Sequence, residues 1–226
     1  MTTIKGFVDG MLDGTVPKNK RMQYLSIVSQ EMQRLKILIS SMLNLTKFDN
    51  GTIEIHYQLF PIQDLAFRTI LMFESRLEKR NITLEGLDSE PVQVWGDPDL
   101  IGQVIYNLFE NATKFVNTGG TITFTFKDEP NSTSIAIRNT GAGISKEELP
   151  KIFERFYKSD DSRSHDKTGL GIGLDITKHI VRLHKAQISV SSEEGEYTEF
   201  LIRLPKKDAP AESPTENPEK QPKDAR

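Results

Sequence analysis

The stretch Asn107-Leu-Phe-Glu-Asn111-Ala-Thr-Lys114-Phe115, read with Gly169-Leu-Gly171-Ile-Gly173-Leu174 farther along the chain, decides the fold. Asn107 and Asn111 stand four residues apart, so on a helix both amide oxygens can face one place. Oxygen ligands of that kind suit magnesium, which keeps several waters when it accompanies phosphates. Lys114 adds a point charge for phosphate within a turn of Asn111. Two asparagines alone would read as a solvated helix face. The glycine triplet changes that reading, because it opens a helix whose N-terminal N–H groups and dipole favour an anion. The triplet also matches a dinucleotide fingerprint superficially, yet it follows a long polar segment rather than a strand, which argues against a parallel βαβ unit.

Working outward, Ile101, Val104, Ile105 and Leu108 place the asparagines on a helix that starts at Asp97 or Pro98. Residues 121–126 and 134–137 read as a strand pair around Asp128-Glu-Pro-Asn131, and Gln187–Ser191 and Glu199–Leu204 as two more strands. The segment Asn139-Thr-Gly141-Ala-Gly143-Ile144 lets backbone approach a flat base, or simply turns a strand into a loop. From Gly141 to about Thr168 the chain is polar and glycine-punctuated around one short helix, and Gly171 to His184 is helical. Within that polar segment, Phe153-Glu-Arg155-Phe156-Tyr157-Lys158 offers rings and cations that can close over a phosphate-bearing ligand. The alternative is that Phe153 and Phe156 anchor the loop to the core. Upstream, Ile53-Glu-Ile55-His-Tyr57 alternates like a strand, Pro61 to about Arg80 is helical, and short strands fit 82–84 and 92–95. Such mixed elements imply the α+β class, as a two-layer α/β sandwich.

Ahead of the sandwich, Ile4, Phe7, Val8 and Met11 repeat at helical spacing up to the turn Asp13-Gly14-Thr15-Val16-Pro17. From Asn19 to about Phe48, Leu25, Val28, Met32, Leu35, Ile39 and Met42 recur in steps of three and four. An antiparallel helical hairpin with unequal arms leaves apolar surface on the longer arm, to be covered by a second chain or by the rest of this one. Asp49-Asn50-Gly51 is a stop signal. The expected division is a hairpin over 1–50, a sandwich over 51–205 and a disordered tail over 206–226. That tail contains four prolines, and its five basic and five acidic residues cancel.

Composition narrows the function. The 226 residues are 36% hydrophobic and 27% charged, as in an ordinary globular protein. A formal charge of −3 gives no basic field, so no nucleic-acid partner is expected. No apolar run reaches membrane-span length and Met1-Thr-Thr-Ile-Lys-Gly is not a signal peptide, so no membrane contact is expected in this chain. The absence of cysteine excludes disulfides and fits a cytoplasmic location.

The order of asparagine box, first glycine box, phenylalanine box and second glycine box resembles the catalytic domain of bacterial sensor histidine kinases, within the Bergerat-fold (GHKL) ATPases. The resemblance runs from about Thr52 to Pro205. It implies ATP with Mg2+ at Asn111 and Asn107, adenine near Asn139 and Phe115, and phosphates near Lys114 and the Gly169–Gly173 loop. Gly141, Gly143, Ile144, Phe156, Lys158, Thr168, Leu170, Ile172 and Leu174 complete the implied ATP site. Asn139 departs from the commonest pattern, which has Asp there to accept from the adenine amino group; an Asn carbonyl can accept the same bond. Lys185-Ala186 and Tyr197 stand where the family usually has glycines, near the last strands.

The family's phosphoacceptor lies in a motif like His-Glu-Leu-Arg-Thr-Pro on the first hairpin helix, and Met1-Thr-Thr-Ile-Lys-Gly-Phe resembles the residues directly after that proline. The hairpin is therefore expected to be truncated, with the acceptor absent. Among the four histidines, His56 falls in an expected strand and His165 in the lid, while His179 and His184 are spaced too far for one ligand face; no metal site is indicated. The implied partners are a second copy or an intact kinase subunit through the hairpin, and a response-regulator receiver domain. The parent would be a membrane sensor with this part in the cytoplasm. The chain is expected to bind Mg-ATP without autophosphorylating. The alternatives are a non-catalytic nucleotide-dependent interaction module, or another Bergerat-fold ATPase or serine kinase.

Overall fold

The computed structural model describes residues 2–29, 31–32, 35, 54–158 and 171–207. A long amphipathic helix sets the architecture. Asp97 caps helix α4 (Pro98–Phe115) by accepting from the N–H groups of Asp99 and Leu100 at 3.0 and 3.1 Å, and Pro98 fills the first turn, where no N–H is needed. The apolar face buries Ile101, Val104, Ile105, Leu108 and Phe109. At the far end Val116 turns extended and stops the helix.

This face packs on a five-stranded sheet of order β2-β4-β5-β7-β6, formed by β2 (Thr83–Glu85), β4 (Thr121–Asp128), β5 (Ser132–Thr140), β6 (Gln187–Glu193) and β7 (Tyr197–Pro205). β2 runs parallel to β4, and the other pairs are antiparallel. Along β4 every second residue is buried, the period-two signature of a strand with one face on the core. Helices α3 (Ile62–Lys79) and α5 (Gly173–Leu183) flank α4 on the same layer. Phe73, Phe109, Phe124 and Phe126 form an aromatic run across the two layers, with centroids 5.4, 5.4 and 5.9 Å apart. Each buried ring of this size contributes roughly 1.5–3 kcal/mol. The expected α+β sandwich is therefore present.

Three expectations need correction. Residues 54–57 are not a strand; β1 is Gln58–Pro61, paired with β3 (Gln93–Gly96) in a separate antiparallel ribbon. Contacts from far along the chain take over the earlier residues: the His56 N–H donates to Asp97 Oδ2, and Tyr57 stacks on Trp95 at 5.7 Å. The short helix expected in the polar segment is a run of turns over the described part, 146–156. Pro150 removes a donor there. Finally, Lys206 and Lys207 do not trail away. Lys206 pairs with Asp128 at 2.8 Å and Lys207 covers the Trp95 ring at 4.9 Å; the rest of the expected tail, 208–226, lies outside the described residues.

At the amino end, α1 (Thr2–Leu12) is followed by a 3-10 turn at Lys18–Lys20 and helix α2 over 21–29. The turn between them is held by Asp13, whose carboxylate accepts from the Thr15 N–H, and the Phe7 and Tyr24 rings meet at 4.9 Å. Leu12 and Met22 are exposed, at 80% and 76%. Most of the expected long arm, 36–50, lies outside the described residues.

Candidate functional site

Three segments distant in sequence meet around the C-terminal half of α4. The first contact is between backbones. An added Cβ on Gly141 would lie 2.1 Å from the Phe115 carbonyl oxygen, so only glycine permits this approach. Val116 and Gly141 also form an isolated bridge, which carries the first glycine box off the end of β5 and under the helix terminus. Gly143 lies against the Glu193 carbonyl, and the Ile144 N–H donates to Ser192 Oγ at 2.8 Å. Ile144 itself packs half-buried against the core.

Arg76 on α3 and Arg80 just past its end fix this end of α4. Arg80 donates from Nη1 to the Thr113 carbonyl at 2.7 Å and from Nη2 to the Val116 carbonyl, and Arg76 reaches Thr113 Oγ1 at 3.4 Å. A forked cation on the last carbonyls satisfies groups a helix terminus leaves open and opposes the negative end of its dipole. Phe115, the residue above Gly141, keeps 37% of its surface exposed.

Asn139, next to that seat, is only 3% exposed. Its Nδ2 donates to the Thr140 carbonyl at 3.0 Å, and among the described residues no donor is paired with its Oδ1. Thr198 faces Asn139 across the β5–β7 register and is buried too, its hydroxyl 3.0 Å from Ser192 Oγ.

The second contact joins α4 to α5. Asn107 is buried; its Nδ2 donates to the Gly173 carbonyl at 3.0 Å and to Thr177 Oγ1 at 3.4 Å. Asn107 thus acts first as a latch that sets the start of α5, and its Oδ1 remains as an acceptor. Ile172 gives α5 no side-chain cap, and among the described residues no side chain accepts from its first N–H groups, the usual setting for an anion at a helix start. Leu174 packs on the core beside them. Thr168, Gly169 and Leu170 lie outside the described residues.

The third contact brings in the phenylalanine box. The Phe156 N–H donates to the Gly171 carbonyl at 2.9 Å, and Gly171, at φ +68°, fits where a Cβ would meet the Tyr157 carbonyl at 2.8 Å. The two rings divide the roles the sequence left open. Phe153 packs edge-on against Phe200 at 6.3 Å and anchors the segment, whereas Phe156 is 69% exposed at φ +65°. Arg155 donates from Nε to Asp175 in the first turn of α5, at 3.0 Å, while 38% of its side chain stays exposed. Tyr157 donates to Glu148 at 3.2 Å, and Lys158 is half-buried at the limit of the described segment; 159–170 lie outside it.

Asn111 lies half-buried on the same face of α4 as Asn107, and Lys114 forms an ion pair with Glu110 at 3.3 Å. A set of amide oxygens fits magnesium held jointly with phosphates, and among the described residues no cluster of three or more His, Cys, Asp or Glu offers an all-protein metal cage. Behind the site, His184 is 2% exposed. Its Nδ1 lies 2.8 Å from the Ile180 carbonyl and its Nε2 accepts from the Asp97 N–H at 3.0 Å, which fixes the tautomer and ties the end of α5 to the start of α4. Burial pushes its pKa down, against smaller opposing effects of the Ile180 carbonyl and Asp97.

The positions missed from sequence are Arg80, Asp97, Thr198, Asp175 and His184 as a tie. Asp97 alone had a local signal, the cap preceding Pro98. The others act through partners 20 or more residues away.

Comparison with known proteins gives the family and the fold. The family profile described as histidine kinase-, DNA gyrase B- and HSP90-like ATPase matches residues 96–208. Sensor protein SrrB of Staphylococcus aureus is 31% identical over 208 residues, covering 91% of this chain and 36% of SrrB. The chain therefore spans little more than a third of such relatives. The nucleotide-free catalytic domain of histidine kinase ThkA matches at 27% identity and TM-score 0.58, covering 66% of this chain and 95% of that one. Histidine kinase AdeS of Acinetobacter baumannii shares the fold at 22% identity and TM-score 0.62, covering 90% of this chain and 93% of that one.

Proposed function

Because the chain belongs to the histidine kinase-, DNA gyrase B- and HSP90-like ATPases and carries the catalytic domain of a sensor histidine kinase, we propose that it binds Mg-ATP and positions the γ-phosphoryl group for transfer to a protein histidine. A response-regulator aspartate would receive the group next. The observation that carries this reading is the meeting of the asparagine, phenylalanine and both glycine boxes around one half of α4.

The roles follow from placement. Asn139 Oδ1 accepts from the adenine amino group, and Phe115 with Phe156 offers exposed ring surface to the base. Asn111 supplies an amide oxygen to magnesium, with Asn107 Oδ1 behind it. Bound magnesium would neutralise charge on the β- and γ-phosphates. Lys114 exchanges Glu110 for phosphate, and the open N–H groups at Gly171–Leu174, with Thr168, Gly169 and Leu170, cradle the rest. Phosphoryl transfer asks little covalent chemistry of the protein, so fixed geometry is the main contribution.

The phosphoryl acceptor is assigned to another hairpin. His184 is buried with both ring nitrogens engaged, His179 turns Nδ1 onto Asp175, and His56 precedes β1; His165 lies outside the described residues. The exposed Leu12, Met22, Leu25 and Met32 offer the hairpin of a second copy, or of an intact kinase subunit, an apolar seam. The parent protein is read as a membrane sensor with this part in the cytoplasm; among the described residues no helix is long and apolar enough to cross a membrane.

Incubation with radiolabelled ATP, Mg2+ and a separate hairpin carrying the acceptor motif tests this function. Acid-labile, alkali-stable label on the hairpin is expected. Label on this chain alone would contradict the acceptor assignment, and nucleotide binding without any transfer would favour a non-catalytic module.

A further inference from the structure

We propose that the base site accepts 6-oxopurine nucleoside triphosphates alongside ATP, because Asn139 presents a donor and an acceptor to the base edge. The inference rests on the adenine placement proposed above and deepens it.

The amide's orientation is fixed by its surroundings. With Nδ2 given to the Thr140 carbonyl at 3.0 Å, the opposite assignment would set two acceptor oxygens face to face. With Asn139 buried to 3%, a reversed amide that lost this bond would be costly. Gly141 closes the other side, since a Cβ there would stand 3.5 Å from Asn139 Nδ2 and 2.1 Å from the Phe115 carbonyl. Asn139 is therefore a buried polar group with one Nδ2 hydrogen bound, and among the described residues its second hydrogen and Oδ1 have no partner.

A 6-amino group donates to Oδ1. A 6-oxo group accepts from the second Nδ2 hydrogen, and the neighbouring N1–H donates to Oδ1. With the amide fixed, a 6-oxo base sits one edge position along from a 6-amino base, so that N1–H rather than the 6-substituent faces Oδ1; either base then leaves the amide paired through neutral hydrogen bonds. A carboxylate at this position could only accept, and would meet a 6-oxo group with an unpaired charge. Thr198, across the register from Asn139, carries a hydroxyl that both donates and accepts, so it does not restore a preference for the amino group.

Equilibrium titrations of the whole chain with Mg-ATP and Mg-ITP, which differ in the base only in the 6-substituent and the N1 proton that accompanies the 6-oxo group, test the proposal. The dissociation constants are expected within about tenfold of each other, the span of one neutral hydrogen bond. A wider preference for ATP would overturn it. Failure of both nucleotides to bind would instead reject the nucleotide site itself. Asn139→Asp is expected to widen the ATP preference by at least about tenfold, and an unchanged ratio would contradict the assigned role. Should that variant fold poorly, Asn139→Ala, checked by its melting temperature, is expected to weaken both nucleotides alike; a loss confined to ATP would count against the proposal.

Discussion

At Lys185 a non-glycine residue holds φ +53°, directly after the His184 cap and before Ala186, whose N–H returns to the Val181 carbonyl. A left-handed conformation costs an L-residue about 1–2 kcal/mol. Lys185→Gly should therefore stabilise the protein by about 1 kcal/mol, read as a higher urea midpoint at unchanged slope; a lower midpoint would refute the strain argument. Here sequence and structure agree, since the pair Lys185-Ala186 stood out as a departure from a glycine turn. Asn107 shows the opposite case. Its spacing from Asn111 placed it on the right face, but nothing local revealed that its Nδ2 would latch Gly173, 66 residues away. Asn107→Ala should cost about 1–3 kcal/mol and weaken nucleotide binding through a displaced α5; a variant with wild-type stability and affinity would remove the latch.

Among the elements, α4 was legible almost to the residue, because its cap, proline and apolar period all point the same way. β1 was not, because Ile53-Glu-Ile55-His-Tyr57 has the alternation of a strand while contacts with Asp97 and Trp95, far along the chain, leave the ladder to Gln58–Pro61. The clamp on the α4 terminus was equally hidden, since Arg80 lies 33 residues from the Thr113 carbonyl it binds. Arg80→Ala should leave that terminus frayed, lowering stability by about 1–3 kcal/mol and speeding amide hydrogen exchange over 113–116. Arg80→Lys, with no fork, should recover only part of this. Unchanged exchange at those amides would show that the clamp does not hold the helix end.

On the scale of the whole molecule, two ties pin α4 against α5: Asn107 to Gly173 near the nucleotide site, and His184 to the Asp97 N–H at the opposite ends of the helices. The second tie depends on pH. Burial holds the His184 imidazole below its ordinary 6.5, so below pH 6.5 the unfolded chain binds more protons than the folded one. Stability is complete above 6.5 and declines as pH falls below it towards the folded pKa. Urea midpoints should drop between pH 7.5 and 5.5, and His184→Gln should flatten that part of the dependence; an equal slope in the variant would assign the effect elsewhere. The box order in the sequence carried the two-layer plan and most of the candidate site, while the long-range ties that bring the boxes together appeared only in three dimensions. The most direct test of that convergence is a calorimetric titration with Mg-ATP. One site per chain is expected, with the heat lost in Asn111→Ala of unchanged melting temperature. No binding by the wild-type chain, or equal binding by that variant, would contradict a nucleotide site built on α4.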